Sequence, residues 1–230
     1  MLNPMPNDPS GNPPQAMSDI AISSLRRDYV LRGLSESDLD PNPFRQFGRW
    51  FQDTLDAKIQ EPNAMLLSTV SPEGQPRGRI MLLKEFNEHG FVFFTNYESE
   101  KGRHLAANPR VGITFSWLDL ERQVVIEGTA DKITREETEA YFHNRPHGSR
   151  LGAWVSNQSR VIPNREAINQ RMAEMKERFG NGEVPIPPHW GGYRVVPHRI
   201  EFWQGRTNRL HDRLRYRLDN GAWVIERLSP

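Results

Sequence analysis

The spacing of apolar positions changes several times along this chain. NPFRQFGRWFQDTLDAKIQ (42–60) puts Phe44, Phe47, Phe51, Leu55 and Ile59 on one helical stripe, with Pro43 suited to a first helical position. SDIAISSLRRDYVL (18–31) predicts a shorter helix carrying Arg26, Arg27 and Tyr29. From Ala64 the pattern becomes that of strands. AMLLSTV, RGRIMLLKEF and FVFFTN predict three, joined by the turns SPEGQP and NEHG, and RVGITFSW and RQVVIEGTADKI predict two more. SEKGRHLAAN interrupts them as a short helix after Ser99, and TREETEAYFHNRP opens another with the capping-box pair Thr134 and Glu137. NREAINQRMAEMKERFG predicts a polar helix that stops at Gly180, and PIPPHW breaks the chain. YRVVPHRIEFW and RLHDRLRYRLDNGAWVIERL return to strands, the second folding at Asp219-Asn220-Gly221. Six to eight antiparallel strands with helices at the ends predict a mainly β, α+β fold: a small closed barrel rather than a doubly wound sheet.

With 36% hydrophobic and 10% aromatic content, 230 residues suffice for one domain with helical additions. The opening MLNPMPNDPSGNPPQAM has too little apolar surface to offset its ordering entropy, so residues 1–17 are expected to be a disordered tail before a single domain at 18–230. A net charge of +1 lacks the chain-wide basic field of a non-specific nucleic-acid binder, so small molecules rather than nucleic acid are the expected partners. The chain has no cysteine, which excludes disulfides, thiol catalysis and zinc-thiolate sites. It has neither a run of eighteen apolar residues nor a leader-like start, so a cytoplasmic location without a membrane partner is expected. The histidines form no HExxH motif, and Pro146 separates His143 from His147, so no metal site is expected.

Against this neutral background, EFWQGRTNRLHDR (201–213) gathers Arg206, Arg209, Arg213, His211, Trp203 and Gln204. If residues 209–213 form a strand, Arg209, His211 and Arg213 share one face and make a cationic wall; the plain alternative is a solvated outer face. Other cations recur elsewhere: Arg77, Arg79 and Lys84 around RGRIMLLK, Lys101 and Arg103 at a helix start, and Arg145 with Tyr141 and Ser149 in AYFHNRPHGSR. Helix N-termini and arginine forks match phosphate monoesters, and their spread over several stretches points to more than one phosphate. Strict alternation puts Arg79 and Lys84 on opposite faces, so either a bulge intervenes or the two serve different groups.

EFWQGRTNRLHDR resembles the C-terminal signature of the pyridoxine/pyridoxamine 5'-phosphate oxidases, in which Glu-aromatic-Trp-Gln is followed after four residues by Arg-Leu-His-Asp-Arg. RRDY, PNAMLLSTV, RIMLLK, FFTN, ERQV, YFHNRP, GAWVSNQS and WGGYRV resemble that family's other landmarks in order, across residues 18–230. The resemblance implies an antiparallel split-barrel FMN-binding fold and a homodimer with two active sites at the subunit interface. It also implies a reaction: pyridoxine 5'-phosphate or pyridoxamine 5'-phosphate becomes pyridoxal 5'-phosphate while dioxygen becomes hydrogen peroxide, the amine substrate also releasing ammonia. By the same resemblance FMN is held by Arg79, Ile80, Met81, Leu82, Leu83, Lys84, Phe94, Thr95, Lys101, Gln123, Gln158, Ser159, Trp203 and Arg213. The substrate phosphate falls to Lys84, Tyr141, Arg145 and Ser149. Arg209, Leu210 and His211 meet the substrate ring, Arg209 and His211 being the catalytic pair, and Arg26, Arg27 and Tyr29 close over it.

Two positions depart from the family pattern. Ser99-Glu100-Lys101 stands where many members have Ser-Arg-Lys; either Glu100 points away and Arg103 compensates, or FMN binds more weakly. Glu61 stands before Pro62 where aspartate is common, and it joins His211 as a candidate proton acceptor, since the guanidinium of Arg209 stays charged. Two rivals remain: a split-barrel flavoprotein of another specificity, such as a reductase, and a non-catalytic nucleic-acid binder. The first has no need of Tyr141, Arg145, Ser149, Arg209 and His211 together; the second requires binding that weakens steeply with salt.

Overall fold

The structure, a computed structural model, describes residues 28–230. The tail expected at 1–17, most of the helix expected at 18–31, and Arg26 and Arg27 lie outside the described residues. Residues 28–31 are not helical. The N–H groups of Val30 and Leu31 donate instead to the carboxylate of Glu121, at 3.3 and 3.0 Å, so no helical carbonyl is needed to satisfy them.

Helix α1 (Pro43–Asp56) starts where Pro43 predicts, with the Asn42 side chain accepting from the N–H groups of Phe44 and Arg45. It ends at Asp56 rather than Gln60, and Lys58 beyond it has a φ of 55°. The buried face is also corrected. Phe44, Phe47 and Trp50 are buried, whereas Leu55 is exposed and Ile59 lies past the helix end. Trp50 interrupts the expected stripe because it packs edge-on against Phe202 at 5.1 Å.

Nine strands form one antiparallel sheet among the described residues: β1 (Ala64–Val70), β2 (Pro76–Leu82), β3 (Glu85–Asn87), β4 (Gly90–Asn96), β5 (Arg110–Trp117), β6 (Arg122–Lys132), β7 (Trp190–Gln204), β8 (Asp212–Asp219) and β9 (Ala222–Leu228). The count exceeds the expected six to eight because RGRIMLLKEF is two strands, not one. Leu83 donates its N–H to Asn63 O and so extends the β1–β2 ladder; Lys84 donates its N–H to Val92 O and joins the β3–β4 ladder. The strand order is β2-β1-β5-β6-β7-β4-β3, so these two adjacent residues link the two edges and the sheet curls into a barrel. The break also answers the face question for Arg79 and Lys84: they belong to different strands.

The barrel is split along β7. Its first half pairs with β4 and its second half with β8, while β6 runs along its other side. Pro197 is tolerated within β7 because the β6–β7 register shifts between Glu127 and Gly128, opposite it. The β8–β9 hairpin turns at Asn220 and Gly221, both with positive φ (49° and 84°), as the Asn-Gly pair predicts.

Phe47 reaches into the barrel and meets Phe86, Phe91 and Phe115 at 4.9, 5.0 and 5.1 Å between ring centroids. It is fully buried, and a side chain of this size contributes roughly 1.5–3 kcal/mol by leaving water. Outside the barrel lie α2 (Glu100–Ala107), α3 (Arg135–His143), α4 (His147–Val155) and α5 (Glu166–Phe179). The Thr134–Glu137 capping box of α3 forms in full. The strand expected at residues 209–213 does not form: Thr207–Arg209 is a tight turn with left-handed backbone at Asn208 and Arg209, and β8 begins at Asp212. Arg209, His211 and Arg213 therefore do not share a strand face.

Candidate active site

A cleft of about 630 Å³ opens between the β2 and β4 strands and the α3–α4 helices. Its walls are Ile80, Met81 and Leu82 from β2, Lys84 from the seam, Phe94, Thr95 and Asn96 from β4, and Tyr141, Arg145, Ser149 and Gln158 from the helical side, with Trp190 at the start of β7. Ten of the positions singled out from the sequence thus meet in one place: Ile80, Met81, Leu82, Lys84, Phe94, Thr95, Tyr141, Arg145, Ser149 and Gln158.

Phe94, Tyr141 and Trp190 lie nearly parallel; Phe94 is 3.9 Å from Tyr141 and 5.4 Å from Trp190, centroid to centroid. The Arg145 guanidinium stands 4.5 Å over Trp190, and its Nη1 is buried without a partner among the described residues. Burial lowers the pKa of Arg145 and raises that of Tyr141. A half-buried cation left with a spare donor, beside a flat aromatic wall, is suited to an anion attached to a ring.

A second cation group adjoins it. Lys101, in the first turn of α2, donates to Gln158 Oε1 at 3.0 Å and Thr95 Oγ1 at 3.2 Å. Burial, helped by the charge of Arg79 and opposed by Glu100, pushes its pKa down to about 8. Arg79 donates through Nη1 to Thr69 Oγ1 and Leu67 O, while its Nη2 is buried without a partner among the described residues. Glu100 pairs with Arg77, and Arg103 donates to Glu98 O at 2.6 Å. Glu100 is thus engaged away from Lys101, and Arg103 is spent on a backbone carbonyl.

The remaining positions are elsewhere. Leu83 is in the core, its N–H given to Asn63 O and its carbonyl taken by Asn63 Nδ2, so it offers the cleft nothing. Ser159 follows Gln158 in an exposed loop with a φ of 70°. Glu61 is exposed in the turn before β1, with a φ of 47°. Gln123, Trp203 and Arg213 form one row across β6, β7 and β8, and none lines the cleft. Arg213 is bidentate on Glu201, at 2.7 and 3.1 Å.

Around Trp203 a second assembly forms. His211 is 4.6 Å from Trp203, and the Tyr29 ring stands edge-on to both at 5.7 Å. The approach depends on Gly205, where a Cβ would lie 2.7 Å from Tyr29 Cγ. The Arg206 N–H donates to His211 Nδ1 at 3.1 Å, so the neutral ring carries its hydrogen on Nε2 and presents a donor. Asn208 and Arg209 both hold positive φ, at 55° and 61°, a strained backbone in this non-glycine loop. Arg209 and Leu210 are exposed. Trp190, which completes the aromatic wall, had no role assigned from sequence, although WGGYRV marked its position.

Residues 51–179 match the family described as Pyridoxamine 5'-phosphate oxidase, and residues 190–230 match the Pyridoxine 5'-phosphate oxidase C-terminal dimerisation region. A pyridoxine/pyridoxamine 5'-phosphate oxidase from Nostoc sp. is 56% identical over 213 residues, 92% of this chain and 100% of that protein. The pyridoxine/pyridoxamine 5'-phosphate oxidase 1 of Ralstonia nicotianae is 54% identical over 211 residues, covering 91% of this chain and 99% of its own. Among solved structures, PhzG from Burkholderia lata, in complex with tetrahydrophenazine-1-carboxylic acid, superposes with a TM-score of 0.83 at 28% identity, over 89% of this chain and 100% of that one. A pyridoxamine 5'-phosphate oxidase-related FMN-binding protein from Nostoc punctiforme shares the fold with a TM-score of 0.67 at 17% identity, over 84% of this chain and 100% of its own.

Proposed function

The chain belongs to the pyridoxamine 5'-phosphate oxidase family, and from that membership we infer an active site assembled from two copies of the chain. The protein is an FMN-dependent oxidase of pyridoxine 5'-phosphate and pyridoxamine 5'-phosphate. Pyridoxal 5'-phosphate is the product, with dioxygen reduced to hydrogen peroxide. The C-terminal dimerisation region supports a homodimer.

One observation carries the shared site. Trp190 in the cleft and Trp203 in the second assembly are thirteen residues apart on the single strand β7. At about 3.3 Å per residue an uninterrupted strand holds them some 40 Å apart, and even with a bulge one protomer does not bring its two assemblies together. Each cleft is therefore completed by the Trp203–Arg213 loop of the second protomer.

The cleft fits FMN. Arg79, with its spare buried Nη2, and Lys101 with Thr95 and Gln158 would hold the phosphate monoester. Arg213, committed to Glu201, has less to give a phosphate than the sequence suggests. Ile80, Met81 and Leu82 would border the flavin ring, with Gln123 and Trp203 supplied by the second protomer. When bound, FMN supplies the two-electron acceptor for the hydride leaving the substrate C4' carbon.

The protein's own groups bind and orient. Arg145, Lys84, Tyr141 and Ser149 take the substrate phosphate, and the Phe94–Tyr141–Trp190 wall limits the tilt of its ring. From the second protomer Arg209 and Leu210 cover that ring, His211 donates from Nε2, and Tyr29 shields them from water. Arg209 holds charge and accepts no proton. The enzyme is assigned to the cytoplasm, and among the described residues no helix is long and apolar enough to cross a membrane.

Hybrid dimers test this reading. Arg145→Ala damages a cleft, and Arg209→Ala damages a loop. Mixing the two impaired homodimers under subunit exchange should raise peroxide release at low pyridoxine 5'-phosphate above that of either, because one site of each hybrid is wholly intact. No recovery, with exchange verified, would place cleft and loop of one site in the same protomer.

A further inference from the structure

Two buried polar residues outside the cleft have no part in the site so far. Thr69, on β1, and His104, on α2, are 1% and 6% exposed. Arg79 Nη1 donates to Thr69 Oγ1 at 2.6 Å. A guanidinium has donors only, so Thr69 accepts there and its own hydroxyl hydrogen is available to give. His104 Nδ1 lies 3.0 Å from the same oxygen. A hydroxyl oxygen has two lone pairs and one hydrogen, so this contact is satisfied with either atom as the donor. Hydrogen bonds thus join Arg79, Thr69 and His104 in one chain.

Two further observations give this chain a purpose. The guanidinium is planar and rigid, so holding Nη1 also fixes Nη2, the atom that is buried without a partner among the described residues. His104 also sits three residues after Lys101 on α2, so the same hydrogen bonds tie the helix bearing Lys101 to the strand pair bearing Arg79. Two cations are thereby set side by side with a donor to spare.

We propose that Thr69 and His104 are positioning residues for the flavin phosphate: their hydrogen-bond relay holds Arg79 so that Nη2 meets the phosphate monoester. The proposal rests on reading Arg79 as a ligand of that phosphate, and the test separates the two.

The full-length chain freed of flavin is titrated with FMN and with riboflavin, following the quenching of flavin fluorescence. Thr69→Val keeps the shape and removes the hydroxyl; FMN affinity should fall about ten- to a hundredfold, as for a lost hydrogen bond to a charged group, with riboflavin affinity unchanged. Thr69→Ser should restore FMN binding. Arg79→Ala should erase most of the preference for FMN over riboflavin. If Arg79→Ala keeps that preference, Arg79 is not a phosphate ligand and the relay falls with it. If Arg79→Ala erases it while Thr69→Val does not, the reading of Arg79 stands and the relay is overturned. Equal weakening of both flavins by Thr69→Val marks a merely structural role and also overturns it. Imidazole nitrogen shifts of His104 should be altered by Thr69→Val; unchanged shifts contradict the relay.

Discussion

The guanidinium of Arg145 lies 4.5 Å above the ring of Trp190, pinned to an aromatic face with its Nη1 left over. On the proposed site such a group would bind the substrate phosphate equally in ground state and transition state. Arg145→Ala should therefore raise KM for pyridoxine 5'-phosphate, by roughly 1.5–3 kcal/mol for a charge-assisted hydrogen bond, with a smaller change in kcat. Unphosphorylated pyridoxine should be a poor substrate of the parent and should gain on the phosphorylated form in the variant. Steady-state peroxide release with both substrates checks this, with flavin absorbance confirming occupancy; an unchanged preference would remove Arg145 from the phosphate site.

Lys101 should make flavin binding depend on pH. A phosphate favours the ammonium form, yet in the flavin-free chain burial and Arg79 hold Lys101 down to about 8 against an ordinary 10.5. Above about pH 8 the site must first take up a proton, so FMN affinity should decline as pH rises through that value. Lys101→Met should bind FMN more weakly and lose the decline. The stability of the flavin-free chain has the opposite slope: between about 8 and 10.5 the unfolded chain holds a proton that the folded chain has released, so stability rises with pH there. Fluorescence titrations and urea midpoints across this range test both signs.

Glu121 is 2% exposed and holds the arm that carries Tyr29 through the N–H groups of Val30 and Leu31. Glu121→Ala leaves both donors without their acceptor. Amide exchange at Val30 and Leu31 should quicken and substrate KM should rise, while FMN content stays near that of the parent. Unaltered exchange would mean that the arm is held by other contacts.

Phe47 supplies the stability check. Replacing this fully buried ring by alanine should cost roughly 3–5 kcal/mol, read as a lower urea midpoint at an unchanged slope.

Local signals made much of this legible in the sequence. The α3 capping box, the Asn220–Gly221 turn and Pro43 act within a few residues and formed as expected. Most of the cleft was also readable, since Lys84, Tyr141, Arg145 and Ser149 carry chemistry wherever they stand. Three features were not legible in this way. The break at Leu83 and Lys84 is set by Asn63 and Val92, which compete for adjacent N–H groups. The turn at residues 207–209 replaces a strand because Asn208 and Arg209 take left-handed backbone that alternation does not reveal. Thr69 and His104 carry no signal in the sequence, and only a shared hydrogen bond brings them together across α2 and β1.

The length of β7 has a consequence for how the enzyme responds to its own concentration. On the proposed two-copy site, a chain whose single continuous strand keeps its two aromatic assemblies apart would hold no whole site alone. Dilution below the point where dimers separate should then extinguish turnover per chain, although each chain stays folded. Specific activity would measure encounter as well as chemistry, and a cell making too little of the protein would lose more than proportionate output.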